Sequence, residues 1–167
     1  AAILWFERNG FDLAYIAGID TGPGRAKLTN YKAFMSVGHD EYWSADQRAN
    51  VEAARDSGVH LLFLSGNEVY WKTRWEPDAN GAPNRTLVCY KETWASAKID
   101  PSTEWTGTWR DPRFSPPADG GNPENALTGT IFKGDPFRAD TTSGPYEDAR
   151  ERKQQGWGEG MSLGGER

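Results

Sequence analysis

Residues 31–64 read YKAFMSVGHDEYWSADQRANVEAARDSGVHLLFL, and the order of apolar and polar residues in this stretch decides the fold class. Tyr31–Val37 is an apolar run of strand length, and Val59–Leu64 (VHLLFL) is a second, apolar enough to be covered on both faces of a sheet. Between them Ser44-Ala45-Asp46-Gln47 has the form of a capping box, with Ser at N-cap and Gln at N3. A helix is predicted from there to about Ser57, stopped by Gly58. Strand, helix and strand with short connections make a βαβ unit, whose right-handed crossover sets the two strands parallel.

Outward from this unit the signals weaken. Residues 1–9 (AAILWFERN) predict the end of a helix, with Gly10 at the C′ position. Phe11–Ile16 suits a strand, and Gly18–Asn30 a loop. The first 64 residues then read α-β-β-α-β, a doubly wound sheet lacking its first strand. Beyond a turn-rich segment at Pro77–Asn84, Thr86–Lys91 (TLVCYK) and Leu127–Lys133 (LTGTIFK) have strand character. No internal repeat is present. The expected organisation is an α/β domain over residues 1–137, followed by a polar, irregular or disordered tail over 138–167.

Composition excludes several function classes. The formal net charge is −5, which provides no basic footprint for nucleic acid or an anionic membrane surface. No apolar run approaches the roughly 18 residues of a membrane span. Cys89 is the single cysteine, so no internal disulfide forms. Mean hydropathy is −0.77, but eight Trp, seven Phe and six Tyr argue against wholesale disorder. The chain starts without Met inside a helix-like segment and shows no signal peptide, so it reads as a piece of something longer.

Chemistry concentrates after the two strands of the βαβ unit. Parallel strands over 32–37 and 59–64 finish at one edge of the sheet, where ligands of open α/β folds bind. Gly38-His39-Asp40-Glu41 follows one strand and Ser65-Gly66-Asn67-Glu68 the other. In extended chain His39 and Glu41 point the same way and Asp40 the other. An imidazole with a carboxylate suits metal binding or general acid–base work. The Asn67 amide can donate to a developing oxyanion. Each residue also has an ordinary role open to it: His39 as a bonded structural histidine, Glu41 beside a helix N-terminus, Asn67 in a turn. Trp43, Trp71, Trp75 and Tyr70 read as packing, and His60 as structural. Cys89, within an apolar strand, is a poor nucleophile. No Gly-x-Ser-x-Gly, His-Glu-x-x-His or Cys-x-x-Cys occurs, and GIDTGPG at 18–24 lacks a phosphate-loop lysine.

Ser-Val-Gly-His-Asp-Glu-Tyr-Trp-Ser (36–44) and Phe-Leu-Ser-Gly-Asn-Glu-Val-Tyr-Trp-Lys (63–72) together resemble the large (β) subunit family of N,N-dimethylformamidase. Trp5–Arg8, Phe11–Tyr15 and Pro123–Gly129 resemble it too, so the likeness runs over residues 1–137 and does not extend into the tail. The resemblance implies a three-layer, flavodoxin-like or glutamine-amidotransferase-like domain that hydrolyses the C–N bond of a small amide. It implies a mononuclear iron held by two tyrosines and a glutamate, the glutamate matching Glu41. His39 and Asn67 match catalytic positions. The tyrosine positions fall upstream of Ala1, so this chain by itself is expected to bind iron weakly and turn over no amide. A small partner subunit, a homo-oligomer and a cytoplasmic location are further implications.

Two other readings compete. A domain of the same fold could bind a carbohydrate or a partner protein through its aromatic-rich edge without catalysis. A glutamine-amidotransferase-like transferase is disfavoured, because no cysteine follows the 59–64 strand.

Overall fold

The computed structural model describes residues 2–22, 26–64, 66–113 and 122–131. The tail after Phe137 and residues 132 and 133 of the expected last strand lie outside the described residues. Helix α1 spans Ala2–Arg8 and ends as anticipated, with Gly10 at φ +75°. Strand β1 (Ala33–Val37), helix α2 (Ala45–Asp56) and strand β3 (His60–Leu64) form the expected βαβ unit, with β2 (Tyr42–Ser44) inserted just before α2. Strands β1 and β3 are parallel, Ala33 opposite His60 and Val37 opposite Leu64. The capping box at α2 is complete: Ser44 Oγ accepts from Gln47 N–H, and Gln47 Oε1 from Ser44 N–H at 2.9 Å.

A second sheet has the order β2-β4-β5, where β4 is Trp71–Glu76 and β5, Thr86–Val88, is the first half of the strand expected at Thr86–Lys91; β2 and β4 are absent from the sequence reading. Strand β4 runs parallel to β2 and antiparallel to β5. The described chain is therefore a mixed α/β structure with one parallel and one mixed sheet. Short helices α3 (Glu92–Ala95) and α4 (Asn125–Thr128) complete it.

The core forms where α2 covers the strands. Trp43, Val51, Ala54, Val59, Val69, Trp109, Leu28 and Leu127 make one buried cluster, with Phe34, Leu61 and Phe63 packed against it. Arg48, buried on α2, joins the α4 segment to this core. Its guanidinium donates to the carbonyls of Asn122 and Pro123 at 2.7 and 3.2 Å and lies 4.7 Å from the Trp109 ring.

Four expectations are corrected. Phe11–Ile16 is not a strand: Phe11, Tyr15 and Ile16 are exposed and pair with no ladder. Strand β3 is half-buried in its middle and exposed at both ends rather than covered on both faces. Leu127 and Thr128 belong to α4 instead of a strand, because Leu127 enters the core from a helical turn. Cys89 falls just beyond β5, half-buried, and burial pushes its thiol pKa up, which agrees with an inert thiol. His60 lies on β3 as expected, with its residue exposed.

Candidate functional site

The two motifs meet within a continuous pair of chain segments. Segments 33–44 and 60–73 run side by side twice, first as β1 with β3 and again as β2 with β4. Val37 faces Leu64 before the break and Tyr42 faces Trp71 after it, so four residues (38–41) stand opposite six (65–70). The longer side must buckle to keep the register. It does so at Asn67, φ +59°, and Val69, φ +52°, both in the left-handed region. Asn accepts that region readily, whereas a β-branched residue does so at a cost of about 1–3 kcal/mol. Val69 is held there by full burial in the core. On the shorter side Gly38 adopts φ +90°, a conformation that L-residues rarely take.

Backbone hydrogen bonds sew the two loops together. Val69 N–H donates to the Asp40 carbonyl at 2.9 Å, and Tyr70 and Trp71 N–H donate to the Glu41 carbonyl at 3.0 and 2.7 Å. Trp43 Nε1 adds a bond to the Asp40 carbonyl at 3.0 Å, and Ser36 Oγ donates to Asp40 Oδ2 at 2.8 Å. His39, Glu41 and Asn67 thus stand on two loops joined at the main chain. The site differs from the expected sheet edge: it is an interruption between two parallel ladders, with β2 and β4 continuing beyond it.

His39 is exposed, while Glu41 and Asn67 are half-buried. Among the described residues no hydrogen bond or ion pair engages the His39 imidazole or the Glu41 carboxylate. Asn67 Oδ1 is buried and makes no hydrogen bond there. Such a group loses its bonds to water without replacement, at a cost of about 1–3 kcal/mol. The neighbouring aromatics pack, as expected: Trp43, Tyr70 and Trp71 are buried, and Trp75 is half-buried on β4. Tyr42 is exposed and faces Lys91, whose Nζ sits 5.3 Å from the Tyr42 ring, 4.9 Å from Trp71 and 4.6 Å from Trp94.

A second polar cluster, missed in the sequence, lies around β4. The Lys72 ammonium is buried, 2.6 Å from Glu104 Oε1 and 5.0 Å from the Trp105 ring. Arg74 pairs with Asp100, which also accepts from Ser102 N–H and Thr106 Oγ1 at 2.9 Å each. Glu92 accepts from the N–H groups of Ile99, Asp100 and Thr106 at 2.9, 2.9 and 3.0 Å and from Lys98 Nζ at 3.0 Å. Burial alone would raise the Glu92 and Asp100 pKa values. Asp100 N–H, Lys98 and other donors outweigh it at Glu92, as Arg74, Ser102 N–H and Thr106 do at Asp100, and both carboxyls are held below the usual range. The charged groups of this cluster answer one another, while Thr73 Oγ1 and Trp105 Nε1 are buried without a hydrogen bond among the described residues.

Among the described residues no group of three or more His, Cys, Asp or Glu side chains is placed to hold a metal ion. Nor is any described helix long and apolar enough to cross a membrane. No curated protein matches the chain. The family described as N,N-dimethylformamidase beta subunit-like, C-terminal, matches residues 1–163, so the match runs beyond both the motif-rich loops and Phe137 into the polar tail, and the chain belongs to that family.

Proposed function

We propose that this chain is part of a hydrolase acting on the C–N bond of a small amide, with His39 and Asn67 as its catalytic residues at the interrupted ladder. The observation that carries the reading is the pairing of unmet polar groups with a strained, stitched backbone. His39 and Glu41 have no described partner, Asn67 Oδ1 is buried without one, and Val69 holds the loop in a costly conformation. Family membership supports the reaction class. The βαβ unit supports the finer fold, a portion of a flavodoxin-like or glutamine-amidotransferase-like domain.

In this reading His39 carries the proton between the attacking water and the leaving amine, which its exposure allows. Asn67, fixed by its left-handed backbone, orients the substrate amide and donates to the oxygen that gains charge. The described residues do not compose an iron centre by themselves, because Glu41 is one carboxylate without a ligating cluster beside it. Glu41 would be this chain's contribution to such a centre, as a hard oxygen ligand. A partner subunit or a second copy is part of the same proposal.

Sugar or partner binding through an aromatic edge has less support, since Trp43, Tyr70 and Trp71 are buried and Tyr42 alone of the four is exposed. The test is amine release from small amides by the native protein containing this chain, compared with its His39→Ala variant. Amine release that His39→Ala removes fits the proposal. Unchanged release in that variant overturns the role given to His39, and no release by the native protein overturns the hydrolase reading itself.

A further inference from the structure

Asp40 stands between the two side chains assigned above, and it is held at both its ends. Its carboxylate accepts from Ser36 Oγ at 2.8 Å. Its carbonyl accepts from Val69 N–H at 2.9 Å and Trp43 Nε1 at 3.0 Å, which fills both lone pairs. Ser36 is buried in β1, at a strand position where an apolar side chain would be the cheaper occupant. A buried hydroxyl needs a hydrogen-bond partner, and the Asp40 carboxylate provides it. The i, i+4 bond from Ser36 to Asp40 closes the turn at Gly38, while Val69 and Trp43 pin the far side.

We infer that Asp40, braced by Ser36, is a positioning residue: it fixes the backbone from which His39 and Glu41 project. The inference rests on the hydrolase reading and adds two residues that act without touching the substrate. A brace matters because misplacing a reacting group by about 1 Å can cost about 100-fold in rate. Asp40→Asn keeps an acceptor for Ser36 Oγ, whereas Asp40→Ala and Ser36→Ala each break the bond.

The experiment measures kcat and KM for N,N-dimethylformamide in the native enzyme carrying Ser36→Ala, Asp40→Ala, Asp40→Asn or His39→Ala, together with Tm and amide exchange at Val69. Asp40→Ala should lower kcat about 10- to 100-fold with KM within about threefold. Ser36→Ala should lower it about tenfold, and Asp40→Asn should recover most of the loss. Exchange at Val69 should quicken in Asp40→Ala and Ser36→Ala, and return towards the native rate in Asp40→Asn. Equal damage from Asp40→Asn and Asp40→Ala, or a kcat loss that only tracks the loss of folded protein, would overturn the inference. Loss of turnover in His39→Ala with none in Asp40→Ala overturns it alone. Full turnover by His39→Ala removes His39 from the catalytic pair, and no turnover by the unsubstituted enzyme overturns the hydrolase reading as well.

Discussion

The interrupted ladder at 38–41 and 66–70 and the cluster around β4 are both rich in charge, yet they are built on opposite principles. Around β4 every buried acid meets donors: Glu92 takes three backbone N–H groups and Lys98, and Asp100 takes Arg74, Ser102 and Thr106. At the interruption the main chain is tightly bonded while the side chains of His39, Glu41 and Asn67 have no described partner for imidazole, carboxylate or Oδ1. The first arrangement uses its polar groups to hold α3 and the chain that follows it, up to residue 106, to the sheet. The second leaves them uncommitted on a rigid frame, with His39 exposed and Asn67 Oδ1 buried. A dense cluster of charge is therefore a poor guide to chemistry until its hydrogen bonds have been counted.

Removing one charged member of the β4 cluster should give the largest effect on stability. Glu92→Ala leaves three N–H groups and an ammonium without their acceptor, and should cost about 3–5 kcal/mol in urea unfolding. A loss under about 1 kcal/mol would mean the cluster is held far less tightly than its bonds indicate. At the interruption the expectation reverses. His39→Ala should leave the unfolding midpoint nearly unchanged and lower amide turnover by about 100- to 10,000-fold.

Acid sharpens the contrast further. The Asp111 carboxyl, like those of Glu92 and Asp100, lies low in the folded chain: Arg113 and nearby donors outweigh the effect of burial. A lowered folded pKa adds stability that is complete above about pH 4, where unfolded carboxylates are ionised, and is lost as pH falls through the folded values. Unfolding free energy should decline below about pH 4, and Asp100→Asn should flatten that decline. An identical acid limb in the variant would remove Asp100 from the account. The smallest effect expected is at Gly38, where a Cβ meets open space but φ is +90°. Gly38→Ala should therefore cost about 1–2 kcal/mol through backbone strain alone.

What could be read from sequence was what depends on near neighbours. The capping box at Ser44, the stops at Gly10 and Gly58, and the parallel pairing of β1 with β3 all follow from short-range pattern. Strand β4 was hidden because WKTRWE carries a cation at every second position in its middle, and a buried Lys72 or Arg74 makes sense only with Glu104, Trp105 and Asp100 in place, 26 to 33 residues away. Phe11–Ile16 had strand composition but finds no ladder, since an edge to pair with is a tertiary fact. The candidate residues were legible by type and by their place after two strands. The four-against-six mismatch that frames them was not, because it needs the register of β2 on β4.

The most direct test compares Asn67→Gly with Glu92→Gln, each measured for melting temperature and amide turnover in the native enzyme. Glycine keeps the left-handed backbone at Asn67 while deleting its amide. The account predicts a crossing: Asn67→Gly loses about 100- to 1,000-fold in turnover with little change in melting, and Glu92→Gln melts lower with turnover per folded molecule retained. Native turnover in Asn67→Gly, or melting lowered as far as in Glu92→Gln, would contradict it.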